Sequence, residues 1–232
     1  DISLEGTGNL ANVAAIAAYQ EEKIPMVLNG KVSFHQKVVE AVNLEFTANG
    51  EKGRLNGKLD LNNIDDPVAE DLSVELTAFD LQKVVAASPV SGKISGSLTL
   101  NGTQKDFSAN GVFSSDALAL QGQTFSKVSL PISAQNSKIV IPGAKAEYGG
   151  GGIFLFGEYA VNDGDFSAAL EFDNANIAGL AGLNSEQAVL SGDVAVSGKL
   201  EGSRGSFNAV AKMASLNWRN NLFRDFRLDI DY

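Results

Sequence analysis

The sequence predicts a mainly β protein, an elongated and coiled antiparallel sheet with a few short helices. Three observations carry that reading. Apolar and polar residues alternate along most of the chain, as they do in strands with one buried face. One phrase recurs, apolar-polar-Gly-polar-apolar-polar-apolar: LNGKVSF from Leu28, LNGKLDL from Leu55, ISGSLTL from Ile94 and LSGDVAV from Leu190. The 24 glycines against 5 prolines supply tight turns and, inside strands, the bends a coiled sheet needs.

In chain order, Val32 and Phe34 lie on one face after the first copy of the phrase, and Leu59 and Leu61 after the second. Ile94, Gly96, Leu98 and Leu100 share a face, as do Phe107, Ala109, Gly111 and Phe113, and then Val128, Leu130 and Ile132. Phe166, Ala168, Leu170 and Phe172 follow, then Val194 and Val196, then Phe226, Leu228, Ile230 and Tyr232. The opposite faces carry Ser, Thr, Asn, Lys and Asp, except in IFLF (153–156), where apolar residues on both faces point to a covered strand or a neighbour contact. VNDGDF (161–166) is a hairpin signal, and NGEKG (49–53) marks a second turn. Three segments show helical spacing instead: LANVAAIAAY (10–19), DLQKVVAAS (80–88) and NIAGLAGL (176–183). Asp80 is placed to cap the second, and Asp173 or Asn174 the third.

A longer repeat runs beneath the short one. LTAFDLQKVVA (76–86) lies over LEFDNANIAGLA (170–181), with Phe79-Asp80 on Phe172-Asp173. FSANGVF lies over FNAVAKM, and LALQGQTFSKVSLPI over LNWRNNLFRDFRLDI. The period is about 95 to 100 residues and gives approximate units 1–75, 76–165 and 166–232 of an array whose neighbours stack edge to edge.

Composition narrows the function classes. Apolar content of 44% over 232 residues is enough for a folded core. A net charge of −10 opposes nucleic acid and simple docking on anionic membrane surfaces. Without cysteine there is no disulfide, thiolate chemistry or cysteine-held metal. No apolar run approaches the roughly 20 residues that span a bilayer. The chain opens at Asp1 and stops at Tyr232 inside a strand pattern, so a fragment of something longer is expected. No enzyme and no cofactor is expected. His35 is the sole histidine, without a G-x-S-x-G elbow, and reads as a surface loop residue. Asp65, Asp66, Glu70 and Asp71 lack the EF-hand order and read as a solvated acidic loop. GGGG (149–152) precedes a strand rather than a helix, which makes it a flexible connection or bulge instead of a phosphate cradle. Trp218 reads as a packing residue.

The run AKAEYGGGGIFLFGEYAVNDGDFSAALEFDNANIAGLAGL (144–183) resembles the AsmA-like family: a Tyr-Gly-Gly strand start, a glycine-marked strand, a strand ending in Asp and a short apolar helix. Here these are Tyr148-Gly149-Gly150, Gly157, Asp173 and Ile177 to Leu183. GQTFSKVSL and NNLFRDFRL are more similar to the TamB branch, and the pattern covers nearly the whole chain. The resemblance implies an envelope protein of diderm bacteria, anchored in the inner membrane and crossing the periplasm. Its sheet would form a U-shaped, β-taco-like groove carrying phospholipid between inner and outer membranes and supporting outer-membrane homeostasis. Its partners would be acyl chains, flanking repeats of the same chain, and inner- or outer-membrane proteins. The candidate lining residues are Val32, Phe34, Leu59, Leu61, Ile94, Leu98, Leu100, Phe107, Phe113, Val128, Leu130, Leu170, Phe172, Val194, Val196, Phe226 and Leu228. Three alternatives stand beside it. The same residues fill a closed sandwich core in a structural or scaffolding envelope module. A β-solenoid stalk is opposed by the long period. A glycan-active β protein would need exposed aromatics and paired carboxylates across a cleft.

Overall fold

The computed structural model describes residues 5–19, 22–85, 88, 90–103, 106–180, 187–201, 204–219 and 221–231, with side chains from residue 24 onward apart from 201, 204 and 205. Its strands are β1 (Glu5–Tyr19), β2 (Glu22–His35), β3 (Val38–Ala48), β4 (Glu51–Asp60), β5 (Val68–Asp80), β6 (Val90–Gly102) and β7 (Phe107–Leu120). Then come β8 (Gln123–Gln135), β9 (Lys138–Tyr148), β10 (Gly151–Ala160), β11 (Asp165–Asn176), β12 (Ala188–Glu201), β13 (Arg204–Trp218) and β14 (Asn221–Asp231). Helix α1 (Leu81–Val84) separates β5 from β6. The strands form one open sheet in chain order, β1 to β14. Two compact units divide the chain at Ser114/Ser115, with Ala134–Asn136 counted in the first. Each is described separately below.

Two-residue turns join several strands. Asn49 and Gly50 have φ of 47° and 86°, and Gly149 and Gly150 have 58° and 85°. Two successive left-handed residues are the turn geometry whose twist matches that of the flanking strands. The expected NGEKG turn therefore contracts to Asn49-Gly50. GGGG is no loose connection but a tight turn plus the first two residues of β10. VNDGDF turns as expected between β10 and β11.

The short phrase has a structural cause. Five strands break their alternation once or twice with a step of three: Ala41 to Leu44, Ala69 to Leu72, Leu76 to Phe79, Phe125 to Val128, Phe172 to Ala175 and Phe223 to Phe226. Just before the second residue of each step stands a residue of positive φ: Asn43, Asp71, Ala78, Lys127, Asn174 and Asp225. At four of these steps the register with the next strand slips, the mark of a β-bulge with its extra residue. A bulge leaves a backbone N–H without its ladder partner. The polar residue of a polar-Gly pair on the following strand accepts it: Asn43 N to Asn56 Oδ1 at 2.6 Å, Asp71 N to Asn101 Oδ1 at 2.7 Å, Ala78 N to Ser95 Oγ at 2.9 Å and Asn174 N to Ser191 Oγ at 3.0 Å.

The glycine after that polar residue answers a second demand. Gly57 has φ of 116°, and a Cβ there would run into the backbone of the bulge residue Asp71. Gly96 has φ of 154°, and a Cβ there would overlap the Val112 carbonyl and stand 2.8 Å from Phe113. The equivalent Gly30 and Gly192 share the sign, at 147° and 152°. Left-handed backbone in close contact admits glycine alone.

The helical expectations are largely corrected. LANVAAIAAY (10–19) belongs to β1, with Val13, Ala15 and Ala17 paired to Leu28, Met26 and Ile24. Alanine suits a helix, but an apolar face already presented by β2 outweighs that small intrinsic preference. Among the described residues of the second segment four are helical, 86 and 87 lying outside them, and Asp80 does cap the helix, accepting from Gln82 N at 3.2 Å. In the third, 181–186 lie outside the described residues, and Asp173 and Asn174 belong to β11 rather than to a cap. The capping role falls to Asn176, whose Oδ1 accepts from Ala178 N at 3.1 Å and Ala188 N at 3.2 Å. Asp80-to-Gln82 and Asn176-to-Ala178 are the same contact 96 residues apart, as are Ala78-to-Ser95 and Asn174-to-Ser191. Phe79-Asp80 therefore corresponds to Ala175-Asn176, three residues beyond the alignment by sequence.

Among the described residues each unit gathers a small apolar cluster beside its capped turn. In the first, Val84 of α1 covers Ile24, Ala48 and Phe79, with the Phe46 and Phe79 rings edge to face at 6.2 Å. Glu51 secures it, accepting from Asp80 N at 2.9 Å and pairing with Lys83 Nζ at 2.8 Å, while Asn49 Nδ2 donates to the Lys83 carbonyl at 2.9 Å. The Lys83 ammonium, then the Asp80 amide, holds the Glu51 carboxyl below its usual range. In the second, Tyr148, Ile153 and Ala175 gather Phe125, Phe172 and Ile177, and Tyr148 Oη donates to Gln123 Oε1 at 2.7 Å.

Candidate functional site

Antiparallel partners share a sheet face, so the pairing registers assemble the face residue by residue. In the second unit, Ala144, Leu155, Leu170, Val194, Ala211 and Leu228 form one row across β9 to β14. Beside it runs Ala146, Ile153, Phe172, Gly192, Met213 and Phe226, and on its other side Ile141, Gly157, Ala168, Val196, Ala209 and Ile230. None of the three rows holds a charged residue. In the first unit, Leu44, Leu55, Val74 and Leu98 form a row across β3 to β6. Gly111 of β7 closes against Leu98, and Phe113 against Gly96.

Most of this face is neither buried nor free. Among the described residues no large side chain is fully buried. Leu59, Ile94, Leu98, Leu100, Phe107, Phe113, Val128, Leu130, Leu170, Phe172, Val194, Val196 and Phe226 are all half-buried. Val32 is buried, whereas Phe34 is 49% and Leu228 53% exposed. Ile94 packs into the small core beside α1. Leu61 stands apart from the others: it follows the end of β4, where its N–H donates to the Lys37 carbonyl at 2.9 Å.

The opposite face of the first unit is polar and charge-paired, with Glu45, Arg54 and Glu75 in one row and Glu40, Lys58 and Glu70 in another. The second unit departs from the expected polar back. Phe156, Ala169, Ala195 and Val210 pair across β10 to β13 and floor an open depression of about 540 Å³ rimmed by Val140 and Pro142. IFLF carried that signal, since Ile153 and Leu155 belong to the rows above while Phe156 is 40% exposed beneath.

Sequence reasoning missed Leu44, Leu55, Val74, Leu155, Ala211 and Met213 of the apolar rows. The steps of three that shift the alternation were the available sign. The chemistry-bearing residues do not converge. Among the described residues no three His, Asp or Glu side chains gather as metal ligands. Glu70 and Asp71 are part of β5 rather than of the acidic loop, and Trp218 lies under the Arg219 guanidinium at 5.1 Å. No helix among the described residues is long and apolar enough to cross a membrane. Comparison with family models, curated proteins and solved structures finds no match for this chain.

Proposed function

We propose that this chain is a segment of a periplasm-spanning envelope protein, anchored in the inner membrane, whose apolar sheet face curves into a U-shaped groove carrying phospholipid between inner and outer membranes. The observation that carries the reading is the set of uncharged rows crossing six strands with half-exposed side chains. A sheet built to close on a second layer would bury those side chains, as two-sheet cores do. The bulges add support, because each bends its strand and strengthens the local twist, the deformation a coiled sheet needs. The resemblance of residues 144–183 to AsmA-like proteins points to the same place and cargo.

Removing a methylene from water is worth about 0.8 kcal/mol, so an acyl tail gains on the order of 10 kcal/mol by lying along an apolar lane. A lane without charges lets the tail pass without desolvating any of them. Headgroups stay in water beyond the rows. The test is capture of fluorescent phospholipid from donor vesicles by the purified chain. Wild type should take up lipid, and Leu170→Asp, at the middle of a row, should not. Equal capture by both would remove the apolar face from the function.

A further inference from the structure

Among the described residues, the apolar face of the second unit is buried at one end of its strands and open at the other. Beside the turn that Asn176 caps, Tyr148, Ala175 and Leu190 are 8%, 0% and 4% exposed, and Ala178 and Ala188 are buried as well. The Tyr148 hydroxyl is taken by Gln123, and its ring lies 5.0 Å from that of Phe125. The end where β10 turns into β11 has no such cover. Past the row of Gly157 and Ala168 lies a further one, Ile139, Tyr159, Phe166, Gly198 and Phe207, uncharged and half-buried throughout. After it come Val161 and Leu200, 42% and 49% exposed, and the exposed turn residues Asn162 and Asp163.

Along β10 and β11 the face also changes height, from Leu155 and Leu170 to Gly157 and Ala168 and then to Tyr159 and Phe166. A Cβ at Gly157 would meet nothing nearer than 3.5 Å, so packing does not ask for glycine there. The low pair is a trough between an aliphatic wall and an aromatic one. We propose that phospholipid lies on this face with its headgroup at the β10–β11 turn end, its tails entering the lane over Gly157 and Ala168, and Tyr159, Phe166 and Phe207 marking the level between them. The assignment rests on the lipid reading above and gives it a direction. A headgroup at the capped end would break into side chains already withdrawn from water and would shed its own hydration. At the turn end it keeps that hydration. Aromatic rings suit the boundary because they join a large apolar surface to, in tyrosine, a polar tip. Tyr159 is half-buried and its hydroxyl bonds to no other described residue.

Tryptophan quenching tests the direction. The chain has one tryptophan, Trp218, which pairs with Ala188 at the capped end of the same face. A relocated form combines Trp218→Phe with Phe166→Trp, and a second combines Trp218→Phe with Tyr159→Trp on the neighbouring strand, with circular dichroism to verify folding. Each is loaded from vesicles of phosphatidylcholine bearing a nitroxide on the headgroup and then separated from them. The label should quench both relocated tryptophans several-fold more strongly than Trp218. Capture of fluorescent phospholipid, measured alongside, tells two failures apart. Wild type that captures none removes the lipid reading and this assignment with it. Capture with equal quenching at the two ends, or with stronger quenching of Trp218, overturns the assignment alone.

Discussion

Leu98→Asp separates an open face from a closed core. Leu98 lies in the row with Leu44, Leu55 and Val74, against Gly111, and is half-buried. Full burial of a leucine is worth about 1.5–3 kcal/mol, so at half burial its loss costs about 1 kcal/mol. A carboxylate there keeps much of its water, whereas the same charge sealed inside a two-sheet core would cost several kcal/mol more. The expected destabilisation is therefore about 1–2 kcal/mol, measured by urea unfolding at neutral pH. The variant should fold and accumulate while losing phospholipid capture. Thr99→Asp, on the opposite face beside Ser73, should change neither. Unfolding of Leu98→Asp in the absence of denaturant would refute the open face, and undiminished capture would refute its use.

Gly96→Ala should destabilise by about 3 kcal/mol in the same unfolding assay, because left-handed strain and overlap with Val112 add; a neutral result would mean the bulge geometry is not required. Asn56→Ala leaves the Asn43 N–H to water and should cost about 1 kcal/mol, with faster amide exchange at Asn43. Glu51 has a folded pKa below its unfolded one, so its contribution is present above the ordinary carboxylate range and lost as pH falls through the lowered value. The protection factor of the Val85 amide, whose N–H donates to the Leu81 carbonyl, should therefore fall on acidification, and Glu51→Gln should remove that dependence. His35→Ala should leave phospholipid capture unchanged; its loss in a folded variant would reopen a catalytic reading.

The sheet was legible because period-two alternation and the polar-Gly phrase both report backbone geometry directly. The phrase is legible as strand chemistry but not as bulge chemistry, since Asn56 and Ser191 reveal their role only when Asn43 and Asn174 are placed opposite them. The apolar rows were half visible. Leu170, Val194 and Leu228 fall in unbroken alternation, whereas Leu44 and Phe79 follow a bulge that inverts the phase and hides which face they occupy. The alanine-rich β1 could not be separated from a helix by local preference, because its pairing with Leu28 and Met26 is a long-range contact. The repeat was found with its joint misplaced by three residues, as Phe-Asp in 79–80 and 172–173 is a stronger match by letter than Asp80 and Asn176 are by role.

Native mass spectrometry of the protein purified from a bacterial envelope without detergent exchange tests the proposed lipid-carrying role of the apolar face most directly. The expected spectrum carries mass increments of intact phospholipid on the folded wild-type chain, absent from Leu98→Asp and Leu170→Asp. Wild-type protein that is folded and lipid-free when prepared in this way, or variants that retain the same increments, would contradict the account.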